Sequence, residues 1–259
     1  MRTTFRSRPA RIFAFLTALT LATLNWPVPV GDLQAAQPMA ATSLKGEVRH
    51  AVTDAPIPNV TLTLVGAGLS VVTNSQGKFS FSGPAVGVGA DIMLLNARTT
   101  TLPGQWPLFP IPVAIQQGVN TLPTPIWIPE LDEENGTALT TTNFNPATGQ
   151  VLATITVTSP TAPGVTVTIP AGTYMQNSWD PLQLDDVLSV TSIPPTRPPM
   201  PLPNNTIPGI IVMTQPGGVE FFSDDAMTLP VKVPMEFPNV QNEFASGSKV
   251  NLFSALGGS

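Results

Sequence analysis

The chain has no cysteine in its 259 residues. That absence excludes a disulfide framework, a thiol nucleophile, a thiolate metal site and a lipidated N-terminal cysteine. Stability must therefore come from buried apolar surface. Histidine and tyrosine are almost as scarce, with one of each, His50 and Tyr174. Catalysis near neutrality needs titratable groups that converge, and a lone imidazole at the end of a strand reads as an ordinary edge residue. Zinc sites of the usual kind require several His or Cys ligands. No Gly-x-Ser-x-Gly elbow occurs. Gly66-Ala67-Gly68 lies between β segments and lacks the Gly-Lys-Ser/Thr of a phosphate loop. Charge is thin as well: 10% of residues are charged, against about 25% in ordinary soluble domains.

What the chain does have begins with its N-terminus. Arg2, Arg6, Arg8 and Arg11 precede an apolar or Thr stretch from Ile12 to Leu24, which Trp26-Pro27-Val28-Pro29 ends. Thirteen residues are too few to span a bilayer as a helix, which takes about 20. They suit the apolar region of a secretory signal peptide. Residues 1–36 are therefore read as a signal peptide cut near Ala36, with an uncleaved anchor as the alternative. The mature chain keeps seven basic residues against fifteen acidic, about −8 in formal charge. Seven scattered cations make no basic stripe for a phosphate backbone. No nucleic-acid partner is expected, and no stable membrane insertion after cleavage. Export without cysteine suits a secreted, extracellular or bacterial cell-envelope protein.

Proline, at 30 residues, is more than twice its usual share of about 5%. It cannot donate within a helix or a central strand. With frequent Thr and Val, and no long helical periodicity after the leader, the pattern predicts an all-β protein of short strands and stiff loops. Leu44, Gly46, Val48 and His50 alternate with Lys45, Glu47 and Arg49, and Val60, Leu62 and Leu64 alternate with threonines. Val71-Val72-Thr73, the turn Asn74 to Gly77 and Lys78 to Phe81 read as a hairpin, with Phe79 and Phe81 on one face. Asp91 to Asn96 is a further apolar run, and Trp127 between Ile126 and Ile128 is expected to buttress the first sandwich.

These residues carry a resemblance. Gly46, Val48, Pro56, Ile57, Val60, Leu62, Leu64, Thr73, Asn74, Gly77 and Phe79 match the pattern of a carboxypeptidase-regulatory-like, transthyretin-type domain over residues 43–96. Asn74 stands where Asp is commonest in that family. The resemblance implies a seven-stranded Ig-like β-sandwich and no activity, because its residues are structural. Residues 43–129 are assigned to this sandwich with a Pro-rich extension.

The acidic run Glu130 to Gly136 marks the boundary to a second β-sandwich-like domain, residues 130–259, for which truncation at Gly257-Gly258-Ser259 is one expectation. Its candidate strands are Val151–Val157, Val165–Ile169, Val187–Ile193, Ile210–Met213, Val219–Phe222, Met227–Val233 and Val250–Phe253, with a polyproline-II connector over 194–203. Pro163-Gly164, Ile169-Pro170-Ala171-Gly172, Gln215-Pro216-Gly217-Gly218 and Phe221 make it similar to β-domains that follow transthyretin-like modules in large bacterial surface proteins, some with YD-repeat shells, an arrangement teneurins share.

No catalytic, cofactor-binding or metal residue is assigned. The adjacent pairs Asp185-Asp186 and Asp224-Asp225 point to opposite faces if on strands, which suits solvated loop acids better than converging ones. Calcium at Asp132-Glu133-Glu134 is the one cofactor considered, since hard cations take carboxylate oxygens. Trp106, Trp127 and Trp179 are the mature tryptophans, and an exposed coplanar pair would favour carbohydrate binding. The sequons at Asn59, Asn135 and Asn204 matter only in a glycosylating host. The expected function is a non-catalytic structural or adhesive module with a cell-surface protein or polysaccharide as partner. The alternatives are a carbohydrate-binding module, or an accessory segment of a larger surface protein or enzyme.

Overall fold

Alternating apolar and polar side chains put one face of each strand against a core and the other in solvent, and this pattern governs the fold. A computed structural model describes residues 41–200 and 209–238. The predicted leader over 1–36, the strand at 250–253, Asn204 and residues 201–203 of the connector lie outside the described residues. The fold is all-β, built mainly of antiparallel sheets. Among the described residues, no helix is long and apolar enough to cross a membrane.

The first half is a two-sheet sandwich. One sheet is centred on β1 (Ser43–His50), which pairs antiparallel with β4 (Lys78–Ser82) on one side. On the other side it pairs in parallel with β7 (Val119–Thr121) and then β8 (Ile126–Ile128). The second sheet runs in the order β3 (Leu69–Val72), β2 (Thr61–Leu64), β5 (Gly89–Asn96), β6 (Leu108–Ile115). Leu44, Val48, Phe79 and Phe81 face Leu62, Leu64, Met93 and Leu95 in a common core. Phe79 and Phe81 do share a face, their rings meeting edge-on at 6.0 Å.

Two expectations change here. Residues 71–81 are not a paired hairpin: β3 pairs only with β2 and β4 with β1, so the chain crosses between sheets. The tight turn itself is present. The amides of Gln76 and Lys78 donate to Asn74 Oδ1, and Gly77 sits at φ +71 with its Cα side against Val48 O. Asn74 thus supplies the acceptor an Asp would. The second change is β6, which follows no alternation that its prolines leave visible. Pro110 and Pro112 lie opposite Leu94 and Ile92. Lacking N–H groups, they fit only where strand amides point away from β5. They close the outer edge of the sheet to further pairing.

The second half comprises three small sheets. The first contains β10 (Phe144–Asn145), β11 (Gln150–Val151), β14 (Tyr174–Asn177) and β17 (Val219–Phe222). The next holds β12 (Ile155–Thr158), β13 (Thr166–Ile169) and β18 (Met235–Glu236). The last holds β9 (Thr137–Ala138), β15 (Val187–Ile193) and β16 (Ile211–Gln215). Val151 and Val157 fall on separate strands, and residues 227–233 carry only the bridge Phe222 to Pro230. The connector at 194–197 is a turn closed by Arg197 N–H donating to Pro194 O, where polyproline II was expected.

Strand β15 is buried on both faces, and β16 packs beside it. Leu188, Val190 and Val212 face the second core with Leu139, Phe144, Ile155, Val167 and Met175. On the opposite face Ile193, Ile211 and Met213 join the first core. The register sets Ile193 opposite Ile211, Thr191 opposite Met213 and Ser189 opposite Gln215. The described residues, 41–200 and 209–238, accordingly belong to one compact unit. Burying Ile193 or Met213 is worth roughly 1.5–3 kcal/mol each, whereas the exposed Arg98–Asp180 ion pair that also links the halves contributes about 0–1 kcal/mol. Apolar burial dominates the joint.

Gly217, in the β16–β17 turn, tightens it further. A Cβ there would lie 2.5 Å from Leu108 O and 2.8 Å from Phe109 Cβ. Gly217→Ala should therefore lower stability by about 1–3 kcal/mol, and Met213→Ala by about 2–5 kcal/mol. In urea, followed through single-tryptophan variants reporting on Trp106 or on Trp179, each substitution should shift both halves together. Separate midpoints for the two tryptophans would mean that the shared sheet does not couple the cores.

Candidate functional site

The residues with chemistry to offer cluster at three places, and in each the fold has already engaged them. The first is the end of β1. His50 is half-buried there, packed edge-on to the Trp106 ring at 5.5 Å. Its Nδ1 accepts from the amide of Val52 at 3.0 Å and more weakly from Thr53 at 3.4 Å. Desolvation lowers its pKa; Glu130 opposes that shift and Arg197 adds to it. Arg197 lies close because its guanidinium donates to Ala51 O and Val52 O of the same turn. On the outer side of β1, Arg49 pairs with Glu47 at 2.7 Å and donates to Asp54 O. Trp127 Nε1 donates to Asp54 Oδ1 at 2.9 Å, which holds the Asp54 carboxyl below the usual range. Asp54 itself adopts φ +60, so the Trp127 bond steadies a tight left-handed turn.

The second place is the acidic run between the halves. Asp132 N–H donates to Thr191 Oγ1 of β15. Its carboxylate accepts from Ser159 Oγ, from Asn135 Nδ2 at 2.6 Å and from Thr161 Oγ1. Burial opposes ionisation, but these hydrogen bonds outweigh it and the pKa falls. Glu133 behaves oppositely: desolvation raises its pKa, Arg98 counters this, and Asp186 reinforces it. Asp132 and Glu133 are thus driven apart electrically and engaged separately. Among the described residues, no three His, Asp or Glu side chains group as metal ligands.

The adjacent acids form the third group. Asp224 receives the amides of Thr228 and Leu229 and the Thr228 hydroxyl, which lowers its pKa; Asp225 is exposed beside it. Asp186 accepts from the Gln183 amide, and Asp185 takes φ +73. Each pair therefore closes a turn. The tryptophans also serve packing. Trp106 is 5% exposed and donates to Pro103 O, while Trp127 and Trp179 are half-buried, in different halves. The sequon amides are engaged as well, Asn59 with Thr101 and Asn135 with Asp132. Tyr174 opposes Phe222 across β14 and β17.

An open groove of about 930 Å³ lies on the first sandwich, bordered by Lys45, Glu47, Lys78, Phe79, Leu122 and Thr124. It holds no histidine, and its one acid, Glu47, is bound to Arg49. Sequence reasoning missed the Asp132–Ser159–Thr161 set because its members lie 27 and 29 residues apart, and short polar side chains in a Thr-rich chain carry no periodic signal. No protein family matches the chain, and no curated protein does.

Asp132 provides the test of this arrangement. Asp132→Ala removes the carboxylate that Ser159, Asn135 and Thr161 share and should cost about 1–3 kcal/mol, while Asp225→Ala should stay within about 0.5 kcal/mol. The folded-state pKa of Asp132 is depressed, so its contribution is complete above the ordinary value of 3.8 and fades as pH falls through the lower folded value. Denaturant titrations should show the gap between wild type and Asp132→Ala narrowing in acid.

Proposed function

We propose that the chain is a non-catalytic secreted or cell-surface module that presents a stiff β scaffold to a cell-surface protein or polysaccharide. On this reading residues 1–36 direct export and are removed. The first sandwich is a carboxypeptidase-regulatory-like, transthyretin-type domain, and the second resembles the β-domains of large bacterial surface proteins. The observation that carries the proposal is the two-faced β15–β16 pair, which welds the halves through Ile193, Ile211 and Met213 on one side and Leu188, Val190 and Val212 on the other. A hinged enzyme that closes on substrate needs two bodies free to move; a spacer needs the opposite.

The distribution of titratable groups supports the same reading. His50 accepts turn amides, Asp132 ties the linker to neighbouring loops, and Asp224 closes a turn. Each of these groups is thus taken up in holding a turn or loop. The half-buried Trp127 and Trp179 lie in different halves and form no stacking platform, so the sugar-binding alternative gains no support from them.

Amine-reactive labelling of intact producer cells, followed by mass spectrometry, tests the proposal. The expected product is a chain beginning near residue 37, with label on Lys45 and Lys78, both exposed. An unlabelled cytosolic species retaining Arg2 to Arg11 would overturn it.

A further inference from the structure

The single histidine holds the turn on which a distant segment is anchored. Residues 51–54 reverse the chain after β1, with Asp54 N–H donating to His50 O and His50 N–H to Ala55 O. Two amides of this turn, Val52 and Thr53, point at His50 Nδ1. Two of its carbonyls, Ala51 and Val52, receive the Arg197 guanidinium at 3.0 and 2.6 Å. Arg197 belongs to the Pro-rich connector that leaves β15, 145 residues further along the chain from Val52. Beside it Met200 packs on the first core. The imidazole, the turn and the connector are therefore one continuous contact between the first sandwich and the segment after the shared sheet.

We propose that His50 is a proton-operated latch: protonation at Nδ1 loosens the 51–54 turn and releases Arg197 from it. A ring nitrogen that accepts N–H bonds must carry its lone pair, so the neutral ring is protonated on Nε2. Adding the second proton turns Nδ1 into a donor facing two donors. Turning the ring over would disturb its edge-on contact with Trp106. The turn must yield, and with it the carbonyls of Ala51 and Val52. The new imidazolium also repels the Arg197 guanidinium.

The charges around the ring decide where this happens. Burial disfavours protonation most; Glu130, which follows β8, favours it, and Arg197 on the connector adds a smaller opposing effect. Arg49 and Asp54, adjacent in the chain, are engaged with Glu47 and Trp127. The folded-state pKa lies below the ordinary 6.5. The latch is consequently closed at and above that pH, and its stabilising contribution is lost as pH falls through the folded value. A surface protein in a locally acidified medium would loosen its connector while both apolar cores persist.

Linkage makes the test strict. If protonating His50 weakens the hold on Arg197, removing Arg197 must ease protonation of His50. In ¹⁵N-labelled protein titrated from neutral pH to about pH 4.5, spanning the ordinary histidine range, the Val52 amide and the Arg197 Nε–H resonances should move together with a midpoint below 6.5. Arg197→Gln should raise the His50 midpoint. His50→Asn, whose Oδ1 keeps an acceptor but cannot titrate, should leave the Arg197 resonance flat. An Arg197 resonance that ignores the His50 titration in the wild type, or a midpoint unmoved by Arg197→Gln, overturns the proposal.

Discussion

The structure depends on one strand pair that packs against a core on each side. In an ordinary antiparallel sheet one side meets the core and the other meets water. The β15–β16 pair meets a core on each side, so its burial counts twice, and neither half can complete its interior without it. The sequence of β15 records this. Leu188 and Val190 alternate with Ser189, Thr191 and Ile193, and the odd-numbered set reads as a solvent face until Ile193. The structure buries that set, apolar at the Ile193 end and polar at the Ser189 end. The polar end faces the linker, where Thr191 accepts the Asp132 amide, and the start of β6, where Gly217 lies against Leu108 O.

That division explains how a chain with so few charges stays specific. Apolar contact between Met213, Ile193 and the first core supplies adhesion but little register, because hydrophobic attraction has no direction. Register comes from the polar end. Gly217 permits only close approach, Asn177 Nδ2 donates to Gly217 O, and Gln215 Oε1 accepts the Gly217 amide. A buried polar group that loses its partner costs more than a satisfied one contributes. These bonds shape the β16–β17 turn that sets Gly217 against Leu108 O and Phe109 Cβ, so the polar end fixes one close approach while the apolar end supplies adhesion.

Much of the fold is legible in the sequence wherever period-two alternation is undisturbed. Thr61–Leu64, Val187–Ile193 and Val219–Phe222 fall where alternation places strands. Legibility fails where another requirement takes over the residue choice. Leu108–Ile115 carries Pro110 and Pro112, which ordinarily argue against a strand; they are tolerated because one edge of β6 needs no amide donors. Tyr174–Asn177 is a strand with only Met175 and Asn177 buried, too short and too polar to stand out. The crossing from β3 to β4 was hidden for a different reason: a tight turn with an Asn acceptor and a Gly at positive φ is common to hairpins and to corners between sheets, and only the partner strands distinguish them. The engaged states of His50, Asp132 and Asp224 were equally hidden, because their partners are backbone amides or hydroxyls that no side-chain motif announces.

Scarcity of ionisable groups changes what each one can do. In a surface rich in charge, a single histidine titrates against many compensating neighbours and its protonation is diluted. Here, among the described residues, the groups that act electrostatically on His50 are one anion and one cation, and the cation is also a ligand of the turn that the imidazole holds. The same proton that changes the charge therefore removes an acceptor, and both effects act on one guanidinium. The apolar cores do not titrate, so acid leaves their burial intact while the Asp132 and His50 contacts weaken over separate ranges, the carboxylate below 3.8 and the imidazole below 6.5. A chain without disulfides thus keeps a pH-insensitive interior and confines its response to contacts beside the joint.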